Sequence, residues 1–240
     1  NDNAQIHTPY GATESLPVSS IGSNEILEET RKMTTEGKGI CVGLPVAGLR
    51  VEIINITDEA ITNWDDSLVL GLNEIGEIVV QGPQVTASYY NSEASTRMAK
   101  MHSADGKIFH RMGDAGYIDS NNRLWFCGRV SHRVITNDAT LFSICCEGIF
   151  NTHTTVYRSA LIGLIRGDTI LPAICVELES GITNANKDQI TSDLMKIGSQ
   201  YQQTQLIKDV FFHPAFPVDI RHNAKIDRNK LSMWASKLTS

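Results

Sequence analysis

"GDAGYIDSNNRLWFCGR", residues 113–129, is the stretch on which the fold turns. Apolar and aromatic residues flank Asn121-Asn122, a pair that tolerates positive φ, so the stretch predicts two antiparallel strands around a tight turn. Upstream the signal stays β. "LNEIGEIVVQGP" is a strand bounded by Gly and closed by Pro, and "LRVEIINI" alternates after "GLPVAG". Residues 1–35 mix a loop with a polar helical stretch, "SNEILEETRKM". Downstream the texture changes. "SHRVIT" and "LFSICC" read as strands and "EGIFNTH" as a short helix; "YRSALIGLI", "LPAICVEL" and "LIKDVFFHP" read as strands. "YRSALIGLI" is expected in the core rather than at an edge. "NKDQITSDLMKIGSQY" carries apolar residues at helical spacing, and "DRNKLSMWASKL" is a last helix capped by Asp227. The prediction is an α+β chain: a β-rich part over 1–128, then a smaller α+β part over 129–240, with the boundary near 128–132.

Composition sets the limits. The 240 residues carry a net charge of −6, with 41% hydrophobic and 20% charged residues, as in an ordinary globular protein. No basic stripe appears, so nucleic acid is not an expected partner. No apolar run reaches the ~20 residues that span a bilayer, and no signal-peptide pattern opens these residues. The five cysteines are odd in number and sit in apolar surroundings, which predicts reduced, buried thiols and a cytoplasmic location. No C-x-x-C occurs, and the histidines lack metal spacing. The vicinal Cys145-Cys146 pair has two readings, core packing and a soft-metal site.

"YGATE", residues 10–14, packs an aromatic face, a bare backbone turn, a hydroxyl and an acid into one short run. Two readings are open for it: a nucleotide contact, or a hairpin corner with an exposed acid. Alone, Asp114 reads equally as a turn acid, Arg129 as a surface arginine at a strand end, and Lys225 as a solvated lysine before a helix.

Taken in order, "YGATE" (10–14), "GEIVVQGPQVTASYY" (76–90), "FHRMGDAGYID" (109–119), "FCGRVSHRV" (126–134) and "FPVDIRHNAKIDRNKL" (216–231) resemble the C-terminal half of the adenylate-forming superfamily. That superfamily holds acyl-CoA synthetases, luciferases and peptide-synthetase adenylation domains. The resemblance runs from about residue 8 to the end. It implies the end of a large adenylation domain, including a β-rich subdomain of distorted-barrel form, followed by a small mobile α+β domain. It also implies ATP and Mg²⁺. Tyr10 then lies against adenine, Gly11 allows close backbone approach, Thr13 binds a phosphate oxygen, and Glu14 helps hold Mg²⁺, which wants oxygen ligands. Asp114 accepts the ribose hydroxyls, for which a carboxylate has enough lone pairs. Arg129 contacts ribose or phosphate through its fork. Lys225 reaches the reacting carboxylate and the α-phosphate, and Ser131 falls at the hinge.

The departures narrow this reading. Ala224 stands where the family usually has Gly, and Ser131 where it has Asp or Lys. Asn137-Asp138 replaces an Arg-Gly pair, Thr140 replaces a common Arg, and "CCEGIFN" replaces Pro-x-Glu-Val-Glu, so the resemblance does not extend to a CoA-binding step. "TPYGATESLPVSSI", "FCGRVSHRV" and "LFSICCEGIFN" resemble one branch, the β-lactone synthetases of bacterial olefin biosynthesis. That branch implies a 2-alkyl-3-hydroxy fatty acid as substrate, and thiolase, reductase and decarboxylase partners. Two alternatives stay open: a fatty acyl-CoA or acyl-AMP ligase, and a non-catalytic nucleotide-binding module. The family's Ser/Thr/Gly-rich phosphate loop does not occur in these residues, so the chain alone is expected to bind nucleotide weakly and not to catalyse.

Overall fold

A computed structural model describes residues 4–182, 186–219 and 222–239, the side chains of 222–224 excepted. The chain divides into two compact units. One comprises the chain up to Lys32 with Gly39–Ser131; the other comprises Met33–Lys38 with the chain from His132 on. None of the described helices is long and apolar enough to cross a membrane.

The first unit is a sheet of β1 (His7–Ala12), β2 (Ser15–Gly22), β3 (Ile40–Pro45), β4 (Arg50–Ile54), β5 (Gly76–Gln81), β6 (Lys100–His102), β7 (Ile108–Ile118) and β8 (Leu124–Arg129). The order is β1-β2-β3-β8-β7-β5-β4, with β6 also on β7. β5 reads as a continuous apolar run because both of its faces are buried. Ile78 and Val80 join Val18, Ile53 and Leu124 in one core cluster, while Val79 joins Ile54, Met101 and Phe109 in another. The 113–129 stretch forms the expected hairpin. Asn122 takes φ 60°, and the Asp119 carboxylate accepts from the backbone N–H groups of Asn121 and Arg123, from Arg123 Nε and from the Trp125 indole. Trp125, fully buried, then stacks on Tyr117.

Two expectations are corrected here. Where a loop is expected before the helical stretch, residues 7–22 form the β1–β2 hairpin, and a helical run follows over Ser23–Glu25, Ile26–Thr30 and Arg31–Thr35. The sheet is also open, not closed into a distorted barrel. Closure needs the end strands to pair, and among the described residues β1 pairs with β2 alone, and β4 with β5 and, by a single bridge at Ile54, with Val69. The path bends within β3, whose Ile40–Gly43 part pairs with β8 while Leu44 and Pro45 pair with β2.

The second unit holds β9 (Val134–Ile135), β10 (Thr140–Leu141), β11 (Val156–Arg166), β12 (Thr169–Leu178), β13 (Asp209–Phe212), β14 (Val218–Asp219) and β15 (His222–Ile226). Its main sheet runs β11-β12-β13, antiparallel and then parallel. Alternation along β11 divides its side chains between two layers. Leu161 packs with Phe150, Ile190 and Leu194 from helices Ser143–Phe150 and Lys187–Gly198. Ala160, Ile162 and Leu164 pack with Leu231 and Ala235 of helix Arg228–Leu238. β11 is therefore an edge strand by hydrogen bonding, although its middle is buried, which revises the expectation of a core strand.

"LFSICC" is not a strand. Leu141 ends a two-residue strand and Phe142 is still extended, but Ser143–Phe150 is helical. Cys146, Ile149 and Phe150 all enter the core from one helix face, a periodicity hidden by the continuous apolar run. All five cysteines are free and buried. Cys146 donates to the Gln203 carbonyl at 3.2 Å and belongs to the core cluster.

Candidate functional site

β7 and β8 place Asp114 directly opposite Arg129. Gly113, just before Asp114, takes φ +66°, a conformation that L side chains rarely adopt. Arg129 Nη1 donates to Asp114 Oδ1 at 2.7 Å and to the Met112 carbonyl at 3.1 Å. Across the sheet Tyr10 donates its hydroxyl to Asp114 Oδ2 at 2.6 Å, its ring tilted against Phe126. Burial drives the Asp114 carboxyl above the usual carboxylate range, and the bonds from Tyr10 and Arg129 pull it back. Burial also pushes the Tyr10 phenol up, and the Asp114 charge adds to this, so Tyr10 stays a proton donor at every physiological pH.

Gly11 sits in the irregular step of the β1–β2 pairing. A Cβ there would meet the Ser15 carbonyl at 2.6 Å, so the hairpin closes only around glycine. Thr13 and Glu14 form its corner, Thr13 exposed and Glu14 half-buried. The hairpin-corner reading of "YGATE" therefore describes the local backbone, and the corner holds more. The Tyr89 phenol interacts with the Glu14 carboxylate. The Glu14 carbonyl accepts from the Thr86 N–H at 2.9 Å. Burial opposes the Glu14 charge, yet the Tyr89 phenol and the Lys100 ammonium help to hold its carboxyl below the ordinary range. The same pairing, with burial, pushes the Tyr89 phenol up to about 12.

Lys100 is almost fully buried. Its ammonium donates to Thr86 Oγ1 at 3.2 Å and lies 5.8 Å from the centre of the Tyr89 ring. Burial lowers its pKa. His110, its cross-strand partner, bonds the Ala99 carbonyl through Nδ1 at 3.2 Å. Burial and the Lys100 charge push that imidazole down to about 4, so His110 is neutral. Sequence reasoning missed Tyr89, Lys100 and His110. The available signal was a histidine set in the apolar β7 strand, facing a lysine at the end of helix Glu93–Ala99.

In the second unit Lys225 is exposed on β15. Next to it Asp227 caps helix Arg228–Leu238, accepting from the Lys230 N–H at 3.1 Å. Arg228 grips both oxygens of buried Glu147 at 2.6 and 2.8 Å, while Glu147 accepts from the Leu161 N–H at 2.9 Å. This node anchors the start of helix Arg228–Leu238. The Ala224 side chain lies outside the described residues. Ser131 lies in the turn Val130–His132 and is the last residue of the first unit. The turn after β9 is locked by Thr136, whose Oγ1 accepts from the Asp138 and Ala139 N–H groups; no basic residue takes part.

Among the described residues no group of three or more His, Cys, Asp or Glu side chains could hold a metal. Glu14 and the Thr13 hydroxyl are the oxygen donors at the hairpin corner. That set suits Mg²⁺, which keeps several waters and is bound by one or two carboxylates plus substrate phosphates.

No family model matches the chain. It is 45% identical over 239 residues to an olefin beta-lactone synthetase of Xanthomonas campestris pv. campestris, covering 98% of this chain and 43% of that protein. It is 26% identical over 230 residues to a D-alanine–D-alanyl carrier protein ligase of Bacillus licheniformis, covering 95% of this chain and 42% of the relative. Among solved structures it superposes on the ATP-bound RpMatB-BxBclM chimera B1 with a TM-score of 0.73 at 20% identity, over 98% of this chain and 42% of the other. It superposes on the amide bond synthetase McbA from Marinactinospora thermotolerans with a TM-score of 0.72 at 21% identity, over 95% and 42%. The chain thus spans less than half the length of the proteins it matches.

Proposed function

We propose, for a chain that belongs to the adenylate-forming superfamily and corresponds to its C-terminal region, that it is part of an ATP-dependent enzyme activating a fatty-acid-type carboxylate as its acyl adenylate. The observation that carries this reading is the convergence of Tyr10 and Arg129 on Asp114. The triad sets a half-charged, half-aromatic surface of the kind that adenosine monophosphate needs. Asp114 accepts ribose hydroxyls with its remaining lone pairs, the Tyr10 ring faces adenine, and Arg129 keeps donors free for the phosphate. Gly11 lets the nucleotide approach the backbone. Thr13 donates to a phosphate oxygen, and Glu14 would hold Mg²⁺. The cation supplies charge neutralisation at the phosphates. Lys225 brings a mobile ammonium to the carboxylate and the α-phosphate, two anions that must meet. The first unit corresponds to the end of the large adenylation domain and the second to the small mobile domain, with Ser131 as the hinge between them.

In the reaction a substrate carboxylate oxygen attacks the α-phosphorus, and the bond to the β-phosphate breaks with loss of pyrophosphate. For a 2-alkyl-3-hydroxy fatty acid the 3-hydroxyl oxygen then attacks the acyl carbon and gives up its proton. The bond to AMP breaks, and a β-lactone forms. Tethering favours this closure over attack by an external thiol. The 45% identity to an olefin beta-lactone synthetase supports the lactone product, and so does the Thr136-locked turn, which lacks the basic residues of a CoA path. A thiolase, a reductase and a decarboxylase are the corresponding pathway partners. In a cytoplasmic setting the buried free thiols stay reduced.

The test uses the parent enzyme that contains this chain, with ATP, Mg²⁺ and a 2-alkyl-3-hydroxy fatty acid but no CoA. AMP and β-lactone are the expected products by mass spectrometry. Product that forms only as a thioester on adding CoA overturns the lactone step. Absence of AMP under all conditions overturns adenylation itself.

A further inference from the structure

Within Gly39–Ser131 the lysines and arginines divide into two groups. Arg50, Lys107, Arg111, Arg123 and Arg129 each form an ion pair with a carboxylate. Lys100 and Arg97 form none among the described residues, and both line one cavity of about 460 Å³. Around them the cavity is walled by Thr62, Ser88, Asn91 and His102, all hydrogen-bond donors, with Glu93 the one acid. Tyr89 also lines it.

We infer that this cavity is an oxyanion site that takes a phosphate group. Lys100 is only 2% exposed, yet its ammonium spends one of three N–H donors on a described partner, Thr86 Oγ1. Lys100 feels the Glu14 charge but forms no direct ion pair with it among the described residues; a buried ammonium so placed is costly, and an anion in the adjoining cavity would relieve it. Arg97 is exposed and can close over the anion from outside, its fork matched to phosphate oxygens. The hydroxyl and amide donors of Thr62, Ser88 and Asn91 suit the remaining oxygens. Glu93, also exposed, lowers the net charge of the lining to one positive. That favours a small anion over a long polyanion. The volume lies within the range of pockets that enclose small ligands. Tyr89 links this cavity to Glu14, since it lines the one and its phenol interacts with the other. A phosphate group here therefore sits one side chain from the proposed Mg²⁺ carboxylate. Its assignment as departing pyrophosphate rests on the adenylation reading above; the oxyanion site does not.

Titration calorimetry of the chain with sodium phosphate, sodium pyrophosphate and AMP tests the site. Saturable binding of phosphate or pyrophosphate is expected, weakened about tenfold by Arg97→Gln and further by Lys100→Met. Arg97 is exposed, so the first variant folds even where the second does not. AMP affinity should be the same in wild type and Arg97→Gln. Pyrophosphate binding tighter than phosphate binding supports the product assignment; equal affinities leave a simple phosphate site and remove that assignment. No anion binding in wild type, or binding unchanged by Arg97→Gln, overturns the inference. Loss of AMP binding with retained, Arg97-dependent anion binding would sink the adenylation reading alone.

Discussion

Two arginine–carboxylate pairs lie close together in the same sheet, and they are built differently. Arg111 and Glu77 are both buried, and Arg111 spends its donors inward. Two reach Glu77 at 2.6 and 3.0 Å, and others reach the Thr57, Glu59 and Met98 carbonyls. Three residues further along β7, Asp114 meets an Arg129 whose side chain is 49% exposed and gives the carboxylate one described bond. The first pair is closed, with no donors left for a ligand. The second is half-finished, with a guanidinium edge facing water and a carboxylate whose second oxygen is met by a phenol. A saturated buried pair holds the fold together; an unsaturated one beside an aromatic ring is what a nucleotide can complete.

The sharpest way to break this comparison is Glu77→Ala. Removing one partner of a buried pair leaves an uncompensated charge, which costs about 3–5 kcal/mol. Urea unfolding should show that loss. A loss below about 1 kcal/mol would mean that the carbonyls around Arg111 suffice and that the two pairs do not differ in kind.

A second effect of similar size comes from His110. Its folded pKa, about 4, lies below the ordinary value of 6.5. The unfolded chain therefore takes up a proton before the folded one does. Stability is lost as pH falls from about 6.5 towards 4, by up to roughly 3 kcal/mol below that window. His110→Gln should flatten the acid limb of the stability curve. An unchanged limb would show that the imidazole is not held neutral.

Arg129→Ala should act on ligand and not on fold. Arg129 is half-exposed and Asp114 keeps its bond from Tyr10, so stability should move by less than about 1 kcal/mol. A charge-assisted bond to phosphate contributes about 1.5–3 kcal/mol, so AMP affinity should fall roughly ten- to hundredfold. Equal AMP affinity in both proteins would place Arg129 with Arg111 as a structural residue.

How far the sequence reached follows the same physics. The β7–β8 hairpin was legible because its signal is local: Asn122 and alternating apolar residues lie within one turn of each other. Asp114, Arg129 and Tyr10 were legible only through a family resemblance, because the meeting of Tyr10 with Asp114 spans 104 residues. The Lys100–His110 pair was not seen, since nothing local shows that a helix-end lysine will be buried by the strand that follows. "LFSICC" misled because a continuous apolar run carries no period, and only packing decides between strand and helix.

The smallest predicted effect is the most discriminating, because it has a sign. Burial holds the Asp114 carboxyl above its unfolded pKa, with the bonds from Tyr10 and Arg129 acting against that rise. A raised folded pKa favours the protonated form in the native state. The Asp114 contribution to stability is then present at low pH and is lost as pH rises through the folded pKa. Asp114→Asn removes that dependence. Relative to wild type the variant should therefore be more stable at pH 8 than at pH 4, as read by Tm at each pH. If Asp114→Asn instead loses stability towards high pH, the carboxylate's bonds outweigh its burial. Asp114 would then be a closed structural pair like Glu77, and the distinction between the two arginines would fall with it.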